Sequence, residues 1–270
     1  MNKVLIGLSV VFGIIILLIF IDYMNIKKED LSNKEEVEKN NNKIQNDIMY
    51  TLKNKNINKR LINTIDTFLE YNDYNRYIYE DKDILQYLKE KNPELIDFYN
   101  NIDVGVIKAD FFRFLYIYNE GGVYSDIDIE FYDKLEIDKD ADFFAYNQNK
   151  MKELTSHFFG AKRHNKVVKK TLELCIENIK NKKGLKGGTA GKISNLCGPQ
   201  VLTHVFLKEL NIEKSELNEK IYSSEGEKYQ IKDYDKAHKV VLRHKATFSY
   251  YLDTFFSGQS YWGINPKNFL

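Results

Sequence analysis

Residues 110–131, DFFRFLYIYNEGGVYSDIDIEF, decide how the 270-residue chain is read. The stretch up to Glu120 has helical spacing. Ile107, Phe111, Phe114, Leu115 and Tyr118 form an apolar stripe, which predicts an amphipathic helix packed on a core. Asp110 and Arg113 stand i, i+3 apart, so they are expected as neighbours on the helix surface. Gly121 and Gly122 end the helix where a left-handed residue is needed. A short strand is expected next. On it Asp126, Asp128 and Glu130 would share one face, with Ile127, Ile129 and Phe131 on the other. Two carboxylates held that close repel and raise each other's proton affinity. A hard cation such as Mg²⁺ or Mn²⁺ between or beside them would resolve the repulsion.

Working outward, Val4 to Ile21 is apolar apart from Ser9. Its length suits a short spanning helix, and no small-residue cleavage site follows, so an uncleaved membrane anchor is expected over residues 1–24. Lys3 lies on one side and Lys27, Lys28 and Lys34 on the other, which leans the C-terminal domain toward the cytoplasm. Residues 25–45 are polar and Asn-rich, read as a stem. The domain expected to carry the chemistry spans 46–270. Charge is balanced, with 40 basic and 39 acidic residues, so nothing marks a nucleic-acid partner. Cys175 and Cys197 make no zinc or disulfide pattern and are expected as two separate buried thiols.

Strand patterns at 44–52, 74–79 and 141–146 alternate with helical ones at 59–69, 83–90, 166–180 and from Gly198-Pro199 through Leu210. A late strand at 239–242 would deliver His244. This alternation predicts an α/β fold with a mixed, mostly parallel sheet flanked by helices. Ligands of such sheets bind beyond the carboxyl ends of the strands, and Asp126 and Asp128 are expected at that edge. The glycine-rich run 184–191, GLKGGTAG, lacks the spacing, the hydroxyl residue and the preceding strand of a phosphate loop, and reads as a surface loop. An EF-hand counted from Asp126 would need glycine where Phe131 stands. A haloacid-dehalogenase-type phosphatase would carry its Asp-x-Asp after a long apolar strand near the domain start.

The order Asp110, Arg113, an aromatic-rich helix, Gly121-Gly122-Val123-Tyr124 and Asp126-Ile127-Asp128 resembles the Asp-x-Asp glycosyltransferases of family 32. These are the yeast initiating mannosyltransferases and bacterial capsular or lipopolysaccharide sugar transferases. It is also similar to the catalytic domain of the large clostridial glucosylating toxins. Phe158-Phe159-Gly160-Ala161 and Gly198-Pro199 match weaker landmarks. The resemblance implies a GT-A fold, a nucleotide-sugar donor, a divalent metal, usually Mn²⁺, and transfer with retention to a glycan, lipid or protein acceptor. It assigns catalysis to Arg113, Asp126 and Asp128, and donor binding to Asp110, Arg113, Asp126, Ser260 and Trp262. The metal would fall to Asp126, Asp128 and His244. The family's N-terminal Ile-Pro-x-x-Ile-His-x-x-Trp stretch is degenerate at residues 46–52, which keeps open a non-catalytic sugar-nucleotide binder on the same fold. A capping or core role for His244 also stays open. His157, His164, His204 and His238 read as structural or exposed.

Overall fold

The computed structural model describes residues 43–53, 59–181, 194–237 and 242–244, with backbone alone at Arg60 and 242–244. Everything described lies in one unit, residues 43–270. In chain order the elements are β1 (Asp47–Leu52), α1 (Lys59–Tyr71), β2 (Asn75–Glu80), α2 (Asp81–Lys91), a 3₁₀ turn (Pro93–Leu95), α3 (Ile96–Asn100), α4 (Gly105–Glu120), β3 (Gly122–Ser125) and β4 (Ile129–Phe131). There follow β5 (Phe143–Gln148), β6 (Glu153–Ala161), α5 (Lys166–Lys180), α6 (Pro199–Leu210), a 3₁₀ turn (Lys214–Glu216), β7 (Lys220–Ser224), β8 (Glu227–Asp233), α7 (Tyr234–Ala237) and β9 (Leu242–His244).

Seven strands form one sheet in the order β2-β1-β3-β6-β5-β8-β7, and β4 pairs with β9 in a second. The pairs β1–β2, β1–β3 and β5–β8 are parallel, while β3–β6, β5–β6 and β7–β8 are antiparallel. The sheet is mixed, as expected, but its pairings divide evenly instead of being mostly parallel. One apolar face packs against α2, α4, α5 and α6 through residues such as Leu88, Phe112, Phe159 and Phe206. The other holds α1, β4 and α7 through Phe68, Phe131, Phe158 and Ala237. A strand covered on both faces has no polar side to show, and β1 is buried from Ile48 to Leu52.

Helix α4 departs from its expected amphipathic form. Ala109 through Ile117 is buried on every side, Asp110 and Arg113 included. Tyr79, Tyr87, Phe112 and Tyr116 crowd its outer flank with ring centroids 5.2–6.0 Å apart. The Asp–Arg pair therefore lies inside the protein and not on a helix surface. Gly121 and Gly122 have φ of 73° and 92°, and a Cβ at Gly122 would sit 2.6 Å from the Asp47 carbonyl oxygen. Only glycine lets the chain leave α4 and enter the sheet this close to β1.

The strand expected to carry Asp126 and Asp128 is also different. β3 stops at Ser125, residues 127–128 form a turn, and the Ile129 amide donates to the Asp126 carbonyl at 3.3 Å. The two aspartates sit on that turn, so the shared strand face does not exist. The alternation of IDIDIEF arises because Ile129 and Phe131 bury in the second face after the chain has turned.

The two cysteines are not separate thiols. Cys175 on α5 is bonded to Cys197 just before α6, with Cα atoms 4.6 Å apart. They are 22 residues apart in sequence, and the packing of α5 beside α6 brings them together. Among the described residues no helix is long and apolar enough to cross a membrane. The expected anchor (4–21), nearly all of the stem and the loop at 184–191 lie outside the described residues.

Candidate active site

β3 is held between β1 and β6, with Met49 opposite Tyr124 and Ser125 opposite Phe158. Its carboxyl end therefore opens beside that of β1 and the first half of β6. α4 runs under this edge and delivers Arg113. The guanidinium reaches Asp110 Oδ1 at 2.9 Å and Asp126 Oδ1 at 3.3 Å through Nη2. Through Nη1 it donates to the Ser156 carbonyl at 2.7 Å. Its plane lies over the Tyr124 ring, 4.4 Å from the centroid. A planar fork can satisfy all these partners together, which an ammonium cannot.

Asp126 is fixed from three directions. Its amide donates to the His157 carbonyl at 2.8 Å. Its carboxylate takes the Arg113 contact, and the Tyr124 hydroxyl donates to Oδ1 at 2.5 Å. That hydroxyl also lies 3.2 Å from Thr51 Oγ1 at the end of β1. Asp128 follows on the same turn, half-buried. Its charge acts on Tyr234, whose ring meets that of His157 edge to face at 5.5 Å.

The charges explain the titration of the cluster. Burial pushes the Asp110 carboxyl up to about 7; Arg113 pulls it back and Asp126 pushes it further up. Burial works against the Arg113 charge, but Asp110, Tyr124, Asp126 and Asp128 outweigh it and hold the guanidinium more firmly protonated than usual. Tyr124 is kept neutral well beyond its ordinary range, chiefly by burial. Tyr234 is pushed up to about 12 by burial first and by the Asp128 charge second. One guanidinium against three carboxylates leaves the edge short of positive charge.

The structure thus brings together Asp110, Arg113, Asp126 and Asp128. β9 pairs with β4 so that His244 lies opposite Ile129, one residue after Asp128. Only its backbone is described. Ser260 and Trp262 fall outside the described residues. The sequence alone does not signal roles for Tyr124, Thr51, Ser156 and Tyr234. Tyr124 stood in the Gly-Gly-Val-Tyr motif, but nothing local showed that its hydroxyl would reach Asp126. Thr51 and Ser156 come from distant strands and carried no signal. Among the described residues no three His, Cys, Asp or Glu side chains form a metal cage. Two carboxylates on one turn nevertheless suit Mg²⁺ or Mn²⁺, which take one or two protein carboxylates and complete their shell from water and substrate phosphates.

Residues 27–144 match the family described as "Glycosyltransferase sugar-binding region containing DXD motif". An initiation-specific alpha-1,6-mannosyltransferase of Candida albicans (strain SC5314 / ATCC MYA-2876) is 35% identical over 78 residues, 27% of this chain and 20% of the relative. The match thus spans about a fifth of that protein's length. A solved structure, "PaToxG Glycosyltransferase", aligns at 21% identity over 63% of this chain and 70% of that one, with a TM-score of 0.49. The matched region contains Asp110, Arg113, Asp126 and Asp128. Over this region the chain is therefore similar to DXD-containing glycosyltransferases.

Proposed function

We propose that this chain is a DXD glycosyltransferase that moves a sugar from a nucleotide-sugar donor to a glycan, lipid or protein acceptor with a divalent metal, retaining the anomeric configuration. The observation that carries the reading is the buried Asp110–Arg113–Tyr124 cluster joined to the partly exposed Asp126, set at a strand's carboxyl end beside Asp128. A merely structural Asp–Arg pair would not need a second carboxylate on the same guanidinium. Nor would it need a tyrosine spanning from β1 to the turn.

In this reading Asp110 and Arg113 orient the hydroxyls of the donor sugar, and Asp126 contacts ribose or sugar. Asp128, with Asp126 and His244, would hold the cation. Mn²⁺ or Mg²⁺, when bound there, supplies positive charge to the departing nucleoside diphosphate. Tyr124 keeps the Asp126 carboxylate aimed, and the Ser156 carbonyl keeps Arg113 from swinging away. Such preorganisation lowers the barrier because the polar groups need not reorient as charge develops. Ser260 and Trp262 complete the diphosphate side, and residues 4–21 tether the domain to a membrane.

A panel of nucleotide sugars incubated with Mn²⁺ and no acceptor tests the reading. Slow release of nucleoside diphosphate from one donor is expected, with loss of release when the metal is chelated. Intact donors across the panel, with the nucleotides still bound, would leave only a sugar-nucleotide binder.

A further inference from the structure

A second polar recess lies along the strand that secures Arg113. Glu153 opens β6, and Ser156, whose carbonyl holds the guanidinium, stands three residues on. At strand rise the two are about 10 Å apart. Around Glu153 is a cleft of about 570 Å³ between α5, α6 and the 3₁₀ turn at 214–216, lined by Asn178, Gln200, His204, Lys214 and Leu207 among others. The Leu154 amide is pinned to Thr203 Oγ1 at 2.9 Å, which sets the start of β6 against α6.

The feature without a structural explanation is Glu153. It is 7% exposed overall; its carboxylate makes no hydrogen bond or ion pair among the described residues, and its oxygens stay open to the cleft. A carboxylate that opens into a cleft without a protein donor is left to be satisfied by water or by the donors of a ligand. Burial raises its proton affinity, and Lys214 only partly offsets this. The nearby groups are amides, an imidazole and an ammonium, alternating with the apolar sides of Leu174, Val201 and Leu207. Hydroxyl donors bound at the carboxylate, amides beside them and a hydrocarbon face below are what a pyranose ring requires.

We infer that this cleft is a carbohydrate subsite that holds the acceptor glycan at a sugar unit remote from the reacting one. Glu153 accepts hydrogen bonds from that unit's hydroxyls. The inference rests on the glycosyltransferase reading and adds to it that the acceptor is an oligosaccharide, extending from the DXD edge along the start of β6 toward α6.

The test is a glycan array of chains one to six units long, built from mannose, glucose, galactose, rhamnose and N-acetylglucosamine. It is probed with the full-length protein and with Glu153→Gln and Gln200→Ala. Binding of chains longer than two units, with single sugars bound poorly, is expected for the unaltered protein. Each variant should lose at least about tenfold of that binding, the scale of one charge-assisted hydrogen bond. Circular dichroism and melting curves report whether each variant folds; Gln200 is partly exposed and its substitution spares the core. The inference fails if no chain binds, if single sugars bind as well as chains, or if both folded variants bind like the parent. Donor hydrolysis by the unaltered protein separates the two readings. Its absence would overturn the transferase reading, whereas its presence without chain binding would overturn the subsite alone.

Discussion

Arg113 carries more of the site than any other side chain, and its partners say how it should fail. Arg113→Lys keeps the charge but cannot bond Ser156, Asp110 and Asp126 together or lie flat on Tyr124. Donor turnover is expected to fall by about a hundredfold or more, the scale of a lost transition-state contact. The melting curve should shift much less. Near-normal kinetics in a folded Lys variant would reduce the cluster to packing. Asp110 supplies a second prediction. Its folded-state pKa of about 7 lies above the unfolded carboxylate value of 3.8, so the folded protein binds the proton more tightly. The contribution of Asp110 to stability is thus fully present below about pH 4 and lost as pH rises through 7. Denaturant titrations from pH 5 to 8 should show Asp110→Asn with a flatter pH dependence than the parent; parallel curves would contradict the assigned burial. At this scale the sequence was readable for residue types but not for partners. Asp110, Arg113, Asp126 and Asp128 announced themselves by spacing, whereas Thr51, Ser156 and Tyr234 reach the site only through strand pairing between distant segments.

At the scale of elements, Gly122 and the disulfide are the features that most constrain the chain. Gly122→Ala places a methyl against the Asp47 carbonyl at positive φ, and should destabilise by about 2 kcal/mol or more. A melt unchanged within error would show that β3 can shift away from β1. The Cys175–Cys197 bond ties α5 to the chain leading into α6. Reducing it, or replacing both residues by alanine, should cost about 3 kcal/mol, typical of a loop of this size. Free thiols in protein taken from its own cell under thiol-blocking conditions would contradict the bond. Local periodicity located α5 and α6 closely. It failed at 126–131, where Ile-x-Ile-x-Phe alternation mimics a continuous strand although the chain leaves one sheet for another. It also missed β6 and the β7–β8 hairpin, whose Glu225-Gly226 turn has positive φ at both residues. Glu-Gly is a poor signal for that turn beside Asn-Gly or Asp-Gly.

For the whole molecule, the α/β class followed from alternating strand and helix patterns, but strand order did not. β6 inserts antiparallel between β3 and β5, a long-range choice no window of sequence records. That insertion makes the site, because β6 supplies the carbonyls that hold Arg113 and Asp126. The compartment is a separate question. The lysine distribution around residues 4–21 leans toward a cytoplasmic domain, while a disulfide is at home where thiols are oxidised. Carbonate extraction should leave the full-length protein with membranes and release a form starting at Lys43; full-length protein in the supernatant would remove the anchor.

In the proposed reaction Asp128 holds a cation on which the nucleoside diphosphate depends. Calorimetric titration of Mn²⁺ with and without UDP or GDP, on the parent and on Asp128→Asn, tests it directly. The parent should bind Mn²⁺ about tenfold more tightly, or better, with the matching diphosphate present, and the diphosphate should gain equally from Mn²⁺. Asp128→Asn, melting like the parent, should lose both the metal and this mutual enhancement. A folded Asp128→Asn protein that binds Mn²⁺ and diphosphate as the parent does would contradict the account.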